Sequence, residues 1–269
     1  MLRFERSSSK GRRWQTTVLA VALPIASISL MRCSEPAGTE ERLLRGADIT
    51  LGQGLARTEV TLDKSGNPLS IAVVLSETAL TGLPATTPQG GLEVLLPLPA
   101  GLPALAFDHV ALNWQAGGHP PPGIYNRPHF DLHFYMITMQ QRDAMTPADP
   151  QFAVKTLRTP TADNLPANYV TDGTAIPRMG SHWNDRNAPE HHGTAFTTTL
   201  IYGFFDGAMA FIEPMITREF LESRVAQQSR MTIPARYPRP GHYPSEWRIT
   251  FDSARREHRI ELLSFVARP

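Results

Sequence analysis

A single cysteine, Cys33, stands in a chain of 269 residues. That excludes an intramolecular disulfide and every cysteine-rich zinc site, so a metal centre here must be built from His, Asp and Glu. Excess charge is also missing. Lys and Arg number 26 against 25 Asp and Glu, for a net charge of +1. A nucleic-acid partner needs a basic surface that this balance does not supply, and Arg3, Arg6, Lys10, Arg12 and Arg13 crowd the N-terminus. The sequence contains no GxSxG elbow, P-loop, HExxH or GxGxxG signature. Gly180-Ser181-His182 sets a serine beside a histidine, but adjacency in sequence does not make a catalytic pair, so serine-hydrolase chemistry is not expected.

Long apolar runs are scarce too. The stretch from Val18 to Met31 is broken by Pro24, Ser27 and Ser29, and spanning a bilayer takes roughly 20 apolar residues. After the basic start it reads as the apolar core of a secretory signal. Its end has two readings. Leu30-Met-Arg-Cys33 resembles a bacterial lipoprotein box, in which Cys33 carries a lipid, although Arg32 stands where a small residue is usual. The other reading is an ordinary signal peptide with an incidental cysteine. The expected organisation is an export segment over 1–33, a small polar tether over 34–45 and a β-rich domain over 46–269. The protein is expected to be exported, to the periplasm, the exterior or the envelope, with membrane contact only through a lipid on Cys33.

Proline is abundant, with 24 residues, which favours short strands and ordered loops over long helices. Strands are expected over Thr58–Asp63, Leu69–Leu75, Leu92–Leu98, His109–Trp114 and His129–Thr138. The run Gly117-Gly-His-Pro-Pro-Pro-Gly123 must be a stiff loop, and residues 146–180 a long ordered one. Asp206-Gly207 marks a hairpin between Phe196–Phe205 and Ala208–Ile212. Pro214–Ser223 is expected to start a short helix, and Trp247–Phe251 with Ile260–Val266 a final hairpin. The fold class is mainly β, a β-rich α+β single domain forming an antiparallel sandwich or barrel-like structure with a few short helices.

The sharpest chemical signal is His129-Phe-Asp-Leu-His133. Strand alternation turns Phe130, Leu132 and Phe134 one way and His129, Asp131 and His133 the other. Neighbours at i and i+2 lie about 6.6 Å apart and can share an ion, whereas i and i+4 lie about 13 Å apart and strain that reach. One ion therefore takes one of these histidines, alone or with Asp131, and draws its other ligands from elsewhere. Alternatively, Asp131 fixes an imidazole tautomer. His182 and Glu213 are the candidates for those other ligands, with His119 as a possible addition. Imidazoles with a carboxylate suit a divalent metal such as Zn, Fe, Mn or Cu. Equally open is a polar sheet face or a buried hydrogen-bond network holding no metal. His191 and His192 read as exposed. His109, His242 and His258 read as structural, and Trp114, Trp183 and Trp247 as core or pocket wall.

Five ordered segments carry a resemblance: Gly118-His-Pro-Pro-Pro-Gly-Ile-Tyr125, Pro128-His-Phe-Asp-Leu-His-Phe-Tyr-Met136, Met179-Gly-Ser-His-Trp183, Ile201-Tyr-Gly203 with Asp206-Gly207, and Phe211-Ile-Glu-Pro-Met-Ile-Thr217. Together they resemble a family of exported bacterial proteins, often lipoproteins, with a domain of unknown function, over roughly residues 46 to 266. The resemblance implies a compact β-rich domain and a homo-oligomer, and supplies no activity. Its recurring positions fall on His119, His129, Asp131, His133, His182 and Glu213. One departure stands out: Thr198 occupies a position where the family pattern has histidine. Three functions remain in view: a metal- or small-ligand-binding protein, a metal-dependent hydrolase or oxygenase, and a structural envelope protein.

Overall fold

The computed structural model describes residues 40–269, which belong to one compact unit. The expected export segment, including Cys33, and residues 34–39 lie outside the described residues. In chain order the strands are β1 (Arg42–Arg45), β2 (Ile49–Leu51), β3 (Gly54–Leu62), β4 (Pro68–Ser76), β5 (Leu92–Pro97), β6 (His109–Gln115), β7 (His129–Tyr135), β8 (Tyr169–Val170), β9 (Ser181–Asp185), β10 (Thr198–Phe205), β11 (Ala208–Thr217), β12 (Gln227–Arg230), β13 (Gly241–Tyr243), β14 (Glu246–Asp252), β15 (Glu257–Leu263) and β16 (Val266–Arg268). Three short helices join them: α1 (Met139–Ala144), α2 (Phe152–Leu157) and α3 (Arg218–Ser223). Helix α1 is closed by a reciprocal cap between Thr138 and Gln141.

Fourteen of the strands form two antiparallel sheets that pack as a sandwich, with no closed barrel among the described residues, and β13 pairs with β16 in a separate two-stranded sheet. The first runs β1-β3-β4-β15-β14-β12, with β2 beside β3, and the second runs β5-β6-β7-β11-β10-β9-β8. One core joins their inner faces. Val60, Ile71, Val73, Ile249, Ile260 and Leu262 from the first sheet share it with Leu112, Phe130, Leu132, Phe134, Tyr202 and Ile212 from the second. Trp114, Trp183 and Trp247 belong to this core, as expected of them. The period-two pattern read in β7 holds: Phe130, Leu132 and Phe134 face the core, and His129, Asp131 and His133 turn to the outer face of the second sheet.

That outer face is not solvated. His129, Asp131, His133 and Glu213 are each at most 2% exposed. Two small apolar clusters flank the polar groups on this side. One is Ala111, Tyr135, Met179, Ala210 and Phe211. The other is Tyr125, Phe196, Ile201 and Met215. Tyr125, Met179 and Phe196 come from outside the strands and cover the sheet.

Several elements differ from expectation. β11 does not stop before Pro214; it continues to Thr217, and the helix begins at Arg218. Proline is tolerated in this central strand because the β7–β11 ladder is broken there. The pairs on either side are Ile212 with Phe134 and Met215 with Asp131, so Glu213 and Pro214 fall in the gap opposite His133 and Leu132. Proline has no N–H to lose from a ladder. β1 lies within the stretch expected as a tether and pairs along its whole length with β3. Residues 146–180 contain α2 and β8 rather than loop alone. The Asp206-Gly207 hairpin forms with both residues at positive φ, 55° and 76°, the conformation that matches strand twist.

Candidate metal centre

The outer face of the second sheet gathers the candidate residues into two separate groups of three. His119, His129 and Asp131 form one; His133, His182 and Glu213 form the other. Within each group the donor atoms lie within 4.8 Å of one another. The division follows strand geometry. His129 and His133 are too far apart along β7 to share an ion, and each takes different partners. The register brings Asp131 beside Met215 on β11, and two residues back along that strand puts Glu213 across from His133. His182 arrives on β9, paired with Gly203 on β10. His119 arrives on the Pro-rich loop. Along β7 the centres of the two groups are about 10 Å apart, more than the about 3.5–4 Å of an ion pair sharing a bridging oxygen.

The distances within each group suit a common ion. In the first, His129 Nε2 lies 2.9 Å from Asp131 Oδ1 and His119 Nε2 lies 3.6 Å from Asp131 Oδ2. In the second, His133 Nε2 lies 3.3 Å from Glu213 Oε1 and His182 Nε2 3.5 Å from Glu213 Oε2. A tetrahedral ion with bonds of about 2.0–2.1 Å has ligand–ligand edges of about 3.3–3.4 Å. His129 Nε2, Asp131 Oδ1, His133 Nε2 and Glu213 Oε2 are all buried without a hydrogen-bond partner among the described residues. Buried polar atoms are rarely left so, and here four of them lie in the two groups.

The other ring nitrogens show which way the histidines point. His119 Nδ1 donates to the Pro120 carbonyl at 2.7 Å, His129 Nδ1 to the Arg127 carbonyl at 2.6 Å, and His133 Nδ1 to the Ala111 carbonyl at 3.3 Å. A carbonyl only accepts, so Nδ1 carries the hydrogen and, in the neutral ring, Nε2 presents a lone pair. Gln115 was not singled out in the sequence, yet its Nε2 donates to Asp131 Oδ2 at 2.9 Å. Its register partner is His129; only that cross-strand pairing, not its position in the chain, brings it to the group.

The two carboxyls behave differently. Burial works to raise Asp131, but the neighbouring His129 and His119 imidazoles outweigh it and hold the group well below the usual carboxylate range. Burial pushes Glu213 well above its usual range, and the Asp131 charge adds to the effect. Burial lowers His133 to about 3 and His182 to about 4. Burial also works against a charged His119, but Asp131 outweighs it and the net shift is upward. Burial therefore disfavours charge on both members of the His133–Glu213 contact.

Aromatic side chains wall the groups. The Phe211 ring lies 4.8 Å from His133 and 5.4 Å from His182, centre to centre. Gly203 makes room for it, since a Cβ there would fall 2.0 Å from the ring. Tyr125 and Phe196 sit beside His119 and His129 respectively. The side chains of His119 and His182 are 29% and 23% exposed, so each group reaches solvent through one histidine. Beside His119 lies a cleft of about 310 Å³, also lined by Thr86, Gln89 and Gln115, with no titratable side chain other than His119. A larger cleft of about 480 Å³, lined by Glu190, Thr198 and Gln227 among others, contains none of the candidate ligands.

Other expectations resolve plainly. Ser181 Oγ donates to the Phe204 carbonyl and accepts from Trp183 Nε1, on the face opposite His182. Thr198, the departure from the family pattern, bonds Gln227 and pairs with the core-facing Ile216, so it turns away from both groups. His192 is exposed, whereas His191 is half-buried near Tyr125. His258 is a core histidine beside Phe251.

Residues 63–114 match a family model described as "TTHB210-like: Hypothetical protein TTHB210". The match covers about a fifth of the chain, takes in β4 to most of β6, and includes none of the six candidate ligands. No curated protein and no solved structure matches the chain.

Proposed function

We propose that the protein is an exported divalent-metal-binding protein that holds an ion in each of the two groups. The observation that carries this reading is the set of four buried, unpartnered atoms on His129, Asp131, His133 and Glu213. Water does not complete the first group well. With both rings neutral, the Nδ1 hydrogens of His119 and His129 go to carbonyls, so beside an ionised Asp131 three acceptors converge and a water has two hydrogens to give. A protonated His119 would bond Asp131, yet His129 Nε2 and Asp131 Oδ1 would still face each other at 2.9 Å without hydrogen-bond geometry. A cation satisfies all three. Two imidazoles and a carboxylate suit Zn, Fe, Mn or Cu. The export half of the proposal rests on the pattern of residues 1–33.

A metal-dependent enzyme is the second reading. Three protein ligands leave a coordination position open, as catalytic centres do, and the cleft beside His119 is of a size that takes a small molecule. Bound there, an ion would polarise a substrate or water. Asp131 and Glu213 then serve as ligands rather than as the general base.

Thermal unfolding of chelator-stripped protein, with and without Zn, Mn, Fe or Cu ions, tests the proposal. At a free concentration of 100 times Kd, each occupied site adds about 2.7 kcal/mol. The expected result is a rise in Tm with at least one ion, absent in a His129→Ala/His133→Ala double variant. No rise with any ion in the wild type would contradict it.

A further inference from the structure

We infer that the two groups bind with unequal strength: a tightly held ion at His119, His129 and Asp131, and a readily exchanged one at His133, His182 and Glu213. This rests on the metal-binding reading and adds an order of filling to it. The difference lies in what holds each ligand before an ion arrives. In the first group every ligand is anchored from behind, His119 by the Pro120 carbonyl, His129 by the Arg127 carbonyl and Asp131 by Gln115. The Gln115 amide is itself held in place. Gly91, at φ +81°, packs so closely that a Cβ there would come within 2.9 Å of the amide carbon.

The second group has little of this. His133 has a longer bond, 3.3 Å, to the Ala111 carbonyl. Among the described residues no hydrogen bond fixes either ring nitrogen of His182, and none fixes the Glu213 carboxyl. Glu213 also sits where the β7–β11 ladder is interrupted. Outer partners of metal ligands are each worth about 10–100-fold in affinity. Access does not separate the groups, since each is open through one histidine to a similar degree. Anchoring does, and it ranks the first group above the second.

The test is a titration of the stripped full-length protein with Zn ions against a chromophoric chelator. Two phases of one ion each are expected, at least about tenfold apart. Gln115→Met keeps the side-chain length and removes the donor; it should weaken the tight phase by about 10–100-fold and leave the weak phase in place. His182→Ala, at the rim and with no hydrogen bond to lose, should delete the weak phase alone. Two ions of equal affinity, or loss of the tight phase in His182→Ala, would overturn the ranking while leaving metal binding intact. No uptake by the wild type would overturn both.

Discussion

The two sheets each carry charged or titratable residues on the face turned away from the common core, and the two faces are put together differently. On the first sheet, Arg57 bonds Glu257 and Glu59, Arg259 bonds Glu59 and Glu261, and Arg248 bonds Glu261. Glu59 and Glu261 are each 2% exposed, and none of these side chains retains a buried atom without a partner. Burial works to raise the Glu59 carboxyl, but hydrogen bonds from Arg259 and Arg57 leave it lowered. On the second sheet His129, Asp131 and His133 are anchored at one end and unsatisfied at the other, and no hydrogen bond among the described residues holds the Glu213 carboxyl. Burial and polarity are common to both faces. What sets them apart is completeness: the first is a closed network whose chemistry is used up in the fold, and the second leaves buried polar atoms without a hydrogen-bond partner in each of its two groups.

The comparison breaks most visibly at the first face. Arg259→Ala removes a partner from two buried carboxylates at once. It is expected to cost about 3 kcal/mol, the low end for breaking a buried pair, because Arg57 and Arg248 keep part of each carboxylate's surroundings. Chemical denaturation should show this loss equally with and without metal ions. The second face should answer in the opposite sense. Glu213→Gln removes a buried acid that no hydrogen bond supports, so the metal-free protein should keep its stability or gain up to about 1 kcal/mol, while the stabilisation by an ion in that group disappears. A large loss of metal-free stability in Glu213→Gln would mean that this face is structural as well.

The smallest effect concerns a histidine that belongs to neither face. Burial lowers His258 to about 4, so the folded protein keeps it neutral. Below the unfolded value near 6.5, the unfolded chain takes up a proton that the fold refuses. Stability contributed at neutral pH is therefore lost as pH falls from about 6.5 towards 4. Relative to His258→Phe, the wild type should lose ground across that window. An unchanged difference between the two at pH 7 and pH 5 would contradict the assignment.

Much of this arrangement is legible along the chain and some of it is not. The alternation in β7 separates core from polar face without any structure, and strand rise alone makes His129 and His133 strain to reach one ion, but the division of the candidates into two groups of three was not legible. His119, His182 and Glu213 follow as the partners available. The pairing of strands is not local information, and three features depend on it. Gln115 reaches Asp131 only because β6 lies beside β7 in a particular register. Gly203 reads as an ordinary glycine until Phe211 is placed across from it. Pro214 reads as a strand end, because the interrupted ladder that tolerates it is a property of two strands. The burial of the polar face escaped as well, since the segments bearing Tyr125 and Phe196 give no local sign that they fold over the sheet.

The central claim is that the two groups on the second sheet's outer face each bind a cation. The most direct measurement is the number of metal ions per chain, by elemental analysis of protein purified without chelator and reloaded to saturation, in the wild type, His129→Ala and His133→Ala. The account predicts two ions in the wild type and one in each variant. No ion in the wild type, or a variant that loses both ions or neither, would contradict it.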